Sequence, residues 1–321
     1  MEILKFFEGL RCPLLDKLMQ GITYLGEETV FMVVALILFW CVDKWKGYFV
    51  LAVGFLGTLL NQFLKLVFRV PRPWIKDPNF TIVESARSGA TGYSFPSGHT
   101  QNAVGTFGGI ARFTKRTWLR IVCIVLAALI GLSRMYLGVH YPMDVGVAIL
   151  IGVALIFLLY PILKKAEHSP KVMYSFLAVM TLLAIAYIAF VKFGTFPSEV
   201  HTVEEGAKLS NYASGLKNGY TLFGALLGLI VGYTVDLKKL HFEEKAPIPG
   251  QILKAVLGLA GIMAIRLGLD WLFKSELLPI FKGQLWWCAA RYFLMVVFAG
   301  AIWPMTFPLW QKVGGRKAAK K

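Results

Sequence analysis

The chain has 321 residues, of which 57% are hydrophobic and only 16% charged, with a mean hydropathy of +0.62. An average soluble domain carries about 25% charged residues, so this composition excludes a disordered chain and a disulfide-stapled secreted domain and points to an all-α, polytopic membrane bundle. The net charge of +16 reads as basic loops that orient helices and attract anionic lipid, not as a nucleic-acid surface, because no basic stripe carries interleaved aromatics.

Residues 1–27 place Ile3, Leu4, Phe6, Phe7, Leu10, Leu14, Leu15, Leu18 and Ile22 at helical spacing among Glu2, Lys5, Glu8, Arg11 and Asp16. They read as an amphipathic segment lying in the membrane interface, with a half-buried helix as the alternative and no cleavable signal. A membrane-spanning helix needs about 20 apolar residues. About nine such spans are predicted, over 28–43, 47–68, 98–114, 117–138, 142–163, 172–193, 218–235, 250–270 and 285–311, the last broken by Pro304 and Pro308.

Basic residues orient the bundle. Lys44 and Lys46, then Lys115, Arg116 and Arg120, then Lys164, Lys165 and Lys171, then Lys238, Lys239 and Lys245, and finally the tail from Lys312 to Lys321 fall on one side. The positive-inside rule makes that side cytoplasmic, with the N-terminus outside and the C-terminus inside. The outer segment 69–97 is long and rich in Pro, Gly and Ser, and loops of this length usually work. Cys12, Cys41, Cys123 and Cys288 show no CxxC spacing and read as small packing residues.

Ionisable groups inside a span cost about 2.5–3.5 kcal/mol or more, which makes each a functional hypothesis. Lys65 follows Asn61 and Gln62 at the outer end of the second span. Arg134 lies near the outer end of the fourth, His140 and Asp144 open the fifth, and Arg72, Ser97 and His99 occupy the outer loop or the start of the third. The predicted topology places all seven at one depth. Three cations without a matching acidic cluster suit phosphate oxygens. Ser97 is a candidate N-cap, and Gly98 admits a ligand close to free backbone N–H groups. Of two histidines, one can attack phosphorus and the other protonate the leaving oxygen, while Asp144, four residues after His140, can fix a ring tautomer.

These residues stand as Lys65-x6-Arg72-Pro73, Pro96-Ser97-Gly98-His99 and Ser133-Arg134-x5-His140-x3-Asp144. Complete and in order over residues 47–163, they make the chain resemble the type 2 phosphatidic acid phosphatase superfamily, which includes glucose-6-phosphatase and the vanadium haloperoxidases. The resemblance implies that His140 is a nucleophile forming a phosphohistidine, Asp144 its orienting partner, and His99 the general acid. It also implies that Lys65, Arg72, Ser97, Gly98 and Arg134 hold the phosphate, and that neither metal nor cofactor is required.

The expected organisation is an interfacial segment over 1–27, a phosphatase core over 28–163, and additional transmembrane helices of unassigned role over 164–321. In the last part, Arg266 and Asp270 are spaced to pair along one helix, Arg291 opens the final span, and Trp286, Trp287, Trp303 and Trp310 suit an aromatic belt. The expected activity is hydrolysis of a lipid phosphate or pyrophosphate at the outer face of a bacterial plasma membrane. The candidate substrates are a polyprenyl pyrophosphate, phosphatidic acid, phosphatidylglycerophosphate or a sphingoid-base phosphate. A soluble sugar phosphate, a phosphotransferase with an acceptor other than water, and a non-catalytic scaffold are the alternatives. Partners are the phosphorylated lipid and the bilayer, with no nucleic acid. The oligomeric state is not legible.

Overall fold

The computed structural model describes residues 1–202, 209–274 and 284–314. Among them there are helices and turns but no strand. The chain divides into two compact units, one of residues 1–34, 49–163 and 189–218, the other of residues 35–48, 164–188 and 219–321.

Helices α1 (Glu2–Gly9) and α2 (Pro13–Tyr24) form the N-terminal segment, with Pro13 opening α2, where its missing N–H costs nothing. Helix α3 (Glu28–Ile37) ends in a π-helical turn. Then come α4 (Lys44–Phe68), α5 (Gly98–Ala103), α6 (Thr117–Tyr136), α7 (Pro142–Ala166), α8 (Pro170–Phe193), α9 (Asn211–Val235), α10 (Ile248–Lys274) and α11 (Trp287–Val297). Past α11 the chain continues through π and 3-10 turns around Pro304 to Trp310, the break that the two prolines impose.

Among the described residues, seven helices are long and apolar enough to cross a membrane, starting at Lys44, Thr117, Pro142, Pro170, Asn211, Ile248 and Trp287. An eighth results if α2 and the α3 segment, bent by 48°, form one broken span. The expected nine included two segments that fall short. Glu28–Val42 is a short helix plus a π turn, and the 98–114 segment is α5, a π turn and a five-residue helix ending at Phe113. Residues 98–113 are nonetheless continuous helix, about 24 Å at 1.5 Å per residue, which returns the chain between α4 and α6 so that the ends of both helices lie together.

In the first unit, α6 shows why these helices belong in lipid. Cys123, Ala127, Ile130, Gly131 and Arg134 form its buried stripe, while Trp118, Ile121, Val122, Ile124 and Val125 are exposed. Apolar side chains on both faces fit a helix surrounded by hydrocarbon. Small residues allow close packing inside the unit: a Cβ on Gly54 would lie 2.1 Å from the buried ring of Phe31. In the second unit, Gly232 and Gly300 approach backbone to backbone. There the Trp40 indole donates to the Ala299 carbonyl at 2.9 Å, and Lys44 pairs with Asp236 at 2.8 Å. Asp270 pairs with Arg291 and not with Arg266, the expected helix neighbour.

The Gly54 contact is testable. Gly54→Val should lower the apparent melting temperature in detergent, since overpacking costs about 1–3 kcal/mol. Gly146→Ala, with nothing within 4 Å of its added Cβ, should leave the temperature unchanged or raise it slightly. Equal losses in both would contradict the packing assignment.

Candidate active site

The seven ionisable or capping residues of the sequence reading come from five segments of the first unit, and the structure brings them to one end of its helices. Lys65 is in the last turns of α4, Arg72 in the loop after it, Ser97 and His99 at the start of α5, Arg134 in the last turn of α6, and Asp144 in the first turn of α7. Arg72, Ser97, Arg134, His140 and Asp144 are buried. His99 is partly exposed.

Backbone turns set this convergence. Helix α6 ends in a turn whose Gly138 has φ +79°, a left-handed conformation that glycine adopts without strain. The Val139 N–H then returns to the Arg134 carbonyl at 3.1 Å, placing His140 beside the end of the helix it has just left. Ser97 has extended backbone and caps α5, its Oγ accepting from the Thr100 N–H at 3.4 Å and from the Thr100 hydroxyl at 2.9 Å. Its own O–H remains able to donate. The Ser97 N–H donates to the Asp144 carbonyl at 3.1 Å, and Asn61 Nδ2 to the Pro96 carbonyl at 3.2 Å. A Cβ on Gly98 would meet only Asn61 Oδ1, at 3.9 Å, so the space in front of these N–H groups is open to a ligand.

The imidazole of His140 sits between an acceptor and a donor. Asp144 Oδ2 lies 3.2 Å from Nδ1, and Arg72 Nη1 lies 2.9 Å from Nε2 and 3.4 Å from Nδ1. A carboxylate accepts, so Nδ1 carries the hydrogen directed at Asp144 and the lone pair falls to Nε2. The same Oδ2 accepts from the Tyr141 N–H at 2.8 Å and from the Ser94 hydroxyl. The Tyr141 contact is half of a capping box, in which a third-position side chain bonds the N–H of the cap. Burial holds the His140 imidazole well below the usual histidine range, and Arg72, Arg134 and Lys65 push it the same way. The ring is thus neutral near pH 7, as a nitrogen nucleophile must be.

The three cations are fixed in different ways. Arg72 donates to the carbonyls of Gly92 at 2.8 Å, Val139 at 2.8 Å and Thr91 at 2.9 Å. Lys65 donates to the Tyr93 carbonyl at 2.6 Å. Arg134 bonds Thr23 Oγ1 at 2.8 Å through Nη1, while its buried Nε and Nη2 have no partner. An unmet buried donor costs about 1–3 kcal/mol, more when charged. Arg134 therefore has donors free for a further acceptor, of the kind a tetrahedral oxyanion would supply.

Two residues of this arrangement were missed in the sequence. Ser94 lies three residues before Ser97 in a loop with no periodic signal, though its proximity to the Pro-Ser-Gly-His run was a hint. Thr23 is remote in the chain and carries no motif. Two cavities adjoin the site. One of about 220 Å³ is bordered by Lys65 and Gly92, and a more open one of about 710 Å³ by Arg69, Arg72 and Tyr93.

Comparison with known proteins agrees with the motifs. The family profile described as PAP2 superfamily matches residues 45–168, and that described as PAP2 superfamily phosphatase, transmembrane extension, matches residues 220–313. The second match lies in the part for which no motif was assigned. A phosphatidylglycerophosphatase B of Bacillus subtilis is 33% identical over 46% of this chain and 75% of its own length. An undecaprenyl-diphosphatase of Sulfolobus acidocaldarius is 29% identical over 53% of this chain and 84% of its own. A solved structure, LpxE of Aquifex aeolicus, aligns with 29% identity over 49% of this chain and 92% of that one, at a TM-score of 0.44.

The orphan donors of Arg134 give a direct test. Inorganic phosphate or orthovanadate should raise the melting temperature of the wild type, by about 2.7 kcal/mol of stabilisation at a ligand concentration 100 times Kd. Arg134→Ala should abolish most of that shift. An undiminished shift would place the anion elsewhere.

Proposed function

This chain belongs to the PAP2 superfamily, and on that footing we propose that it is a lipid phosphate phosphatase that works through a phosphohistidine at His140. The observation that carries the reading is the pairing of a buried, neutral imidazole with the buried, half-unpartnered guanidinium of Arg134.

The phosphoryl group sits with its oxygens toward Arg134, Lys65, the Ser97 hydroxyl and the N–H groups at the start of α5. These donors are already placed where charge develops in the transition state, so little reorganisation is needed as the reaction proceeds. His140 Nε2 attacks phosphorus, and the bond to the leaving oxygen breaks. Once the substrate's negative charge offsets Lys65, Arg72 and Arg134, His99 carries a proton and gives it to that oxygen. As Nε2 becomes bonded, the ring gains positive charge, which Asp144 offsets through Nδ1–H. In the second half, neutral His99 takes a proton from water, hydroxide oxygen attacks phosphorus, and the P–N bond breaks. Phosphate departs, and His140 recovers its lone pair.

A lipid substrate follows from what surrounds the site. Phe68, Ile75 and Met143, neighbours in sequence of Lys65, Arg72 and Asp144, are exposed apolar side chains. A headgroup phosphate reaches the cations while its tails stay against such residues in the bilayer. The basic loops support an N-terminus outside and the site at the outer membrane face. Residues 28–163 form the catalytic part on this reading, 1–27 an interfacial segment that also supplies Thr23, and 164–321 additional membrane helices. Phosphatidylglycerophosphate and polyprenyl pyrophosphate, named by the relatives above, are the leading substrates.

His140→Ala should reduce turnover at least about 10³-fold while the protein remains folded by gel filtration, as expected for loss of a nucleophile. In the first half-reaction, read as the rate of pre-steady-state alcohol or phenol release, His99→Ala should lose about 10²–10⁴-fold with an alkyl phosphate and far less with p-nitrophenyl phosphate, whose leaving group needs no proton. An equal loss of that rate with both would contradict the general-acid role. Normal turnover in His140→Ala would refute the nucleophile.

A further inference from the structure

We infer that the smaller cavity beside Lys65 is a second anion subsite, in which Lys217 receives a phosphoryl group carried by the leaving group. The inference deepens the phosphatase reading and rests on it.

The cavity of about 220 Å³ is lined by Gln62 and Lys65 from α4 and by Asn211, Ser214, Lys217 and Asn218 from the first two turns of α9. Thr91 and Gly92 complete the wall next to the catalytic groups, and their carbonyls are the ones that hold Arg72. The cavity therefore shares a boundary with the site around His140. Gly92 has φ +68°, and a Cβ there would fall 2.4 Å from Asn211 Oδ1. Only glycine lets the catalytic loop and the start of α9 come this close.

Charge and size define the occupant. Two ammonium groups, Lys65 and Lys217, border the cavity, and among the described residues no carboxylate lines it. Lys65 is drawn to the Tyr93 carbonyl, whereas Lys217 makes no ion pair with the described residues. The N-terminus of a 25-residue helix adds its positive end on the same side. The volume lies below the about 300–1,000 Å³ of pockets that take drug-sized ligands. It suits a headgroup fragment and not a lipid tail. A diphosphate bound with its terminal phosphorus at His140 extends its second phosphoryl group away from the attacking nitrogen, on the leaving side. Asn211–Asn218 lie between the two family matches, which end at residue 168 and begin at residue 220.

The test compares farnesyl diphosphate with farnesyl monophosphate, which share a tail, in the same detergent with the full-length protein. The quantity read is the ratio of kcat/KM for diphosphate over monophosphate. Both rates come from one preparation, so partial misfolding cancels. Wild type should favour the diphosphate, and Lys217→Ala and Lys217→Gln should each lower the ratio about tenfold, the loss of one charge-assisted hydrogen bond. Lys217→Arg should restore most of it. A ratio unmoved by both neutral variants would overturn the subsite while leaving the phosphatase reading intact. A wild type inert toward both substrates would instead overturn the phosphatase reading, and the subsite with it.

Discussion

The site depends on one carboxylate oxygen. Asp144 Oδ2 accepts from the Tyr141 N–H, the Ser94 hydroxyl and His140 Nδ1, so a single atom caps α7, anchors the loop before α5 and sets the tautomer of the imidazole. Arg72 adds to the arrangement, its Nη1 within reach of both ring nitrogens and its N–H groups donating to three backbone carbonyls. Rotating the ring would break contacts on both nitrogens. That constraint fixes where the lone pair of Nε2 points, and the other groups of the site are organised around that direction.

The division of labour among the cations follows from their partners. Arg72 spends its N–H groups on the protein, which makes it a structural clamp that also supplies charge. Arg134 keeps two nitrogens, Nε and Nη2, unmet in a buried position, donors that the proposed substrate phosphate would satisfy. Near-identical chemistry in the sequence, arginine at the edge of an apolar run, thus produces two different jobs. The difference lies in the loops 91–93 and 138–140, whose carbonyls reach Arg72.

Much of this was legible in the sequence. The spacing of Lys65, Arg72, Ser97, His99, Arg134, His140 and Asp144 survives folding because it sits at helix ends, where local rules of capping and turning decide position. Ser94 and Thr23 were illegible because each acts by a contact distant in sequence, at 50 and 111 residues from its partner. The nine expected spans differ from the seven or eight candidates among the described residues because apolar content was read without length. The 28–43 and 98–114 segments are hydrophobic, yet each is a shorter helix continued by a π turn. The pairing of Asp270 with Arg291 in place of Arg266 has the same lesson: intrahelical spacing offers a partner, and tertiary packing chooses another.

The direction of the Nε2 lone pair is the central claim, and the position of the covalent phosphoryl group measures it. Rapid acid-free quenching during turnover, followed by mass spectrometry and ³¹P NMR of the labelled peptide, locates both residue and ring nitrogen. The account predicts phosphate on Nε2 of His140. Phosphate on Nδ1 of that ring, on His99, or on no residue at all during steady turnover would contradict it.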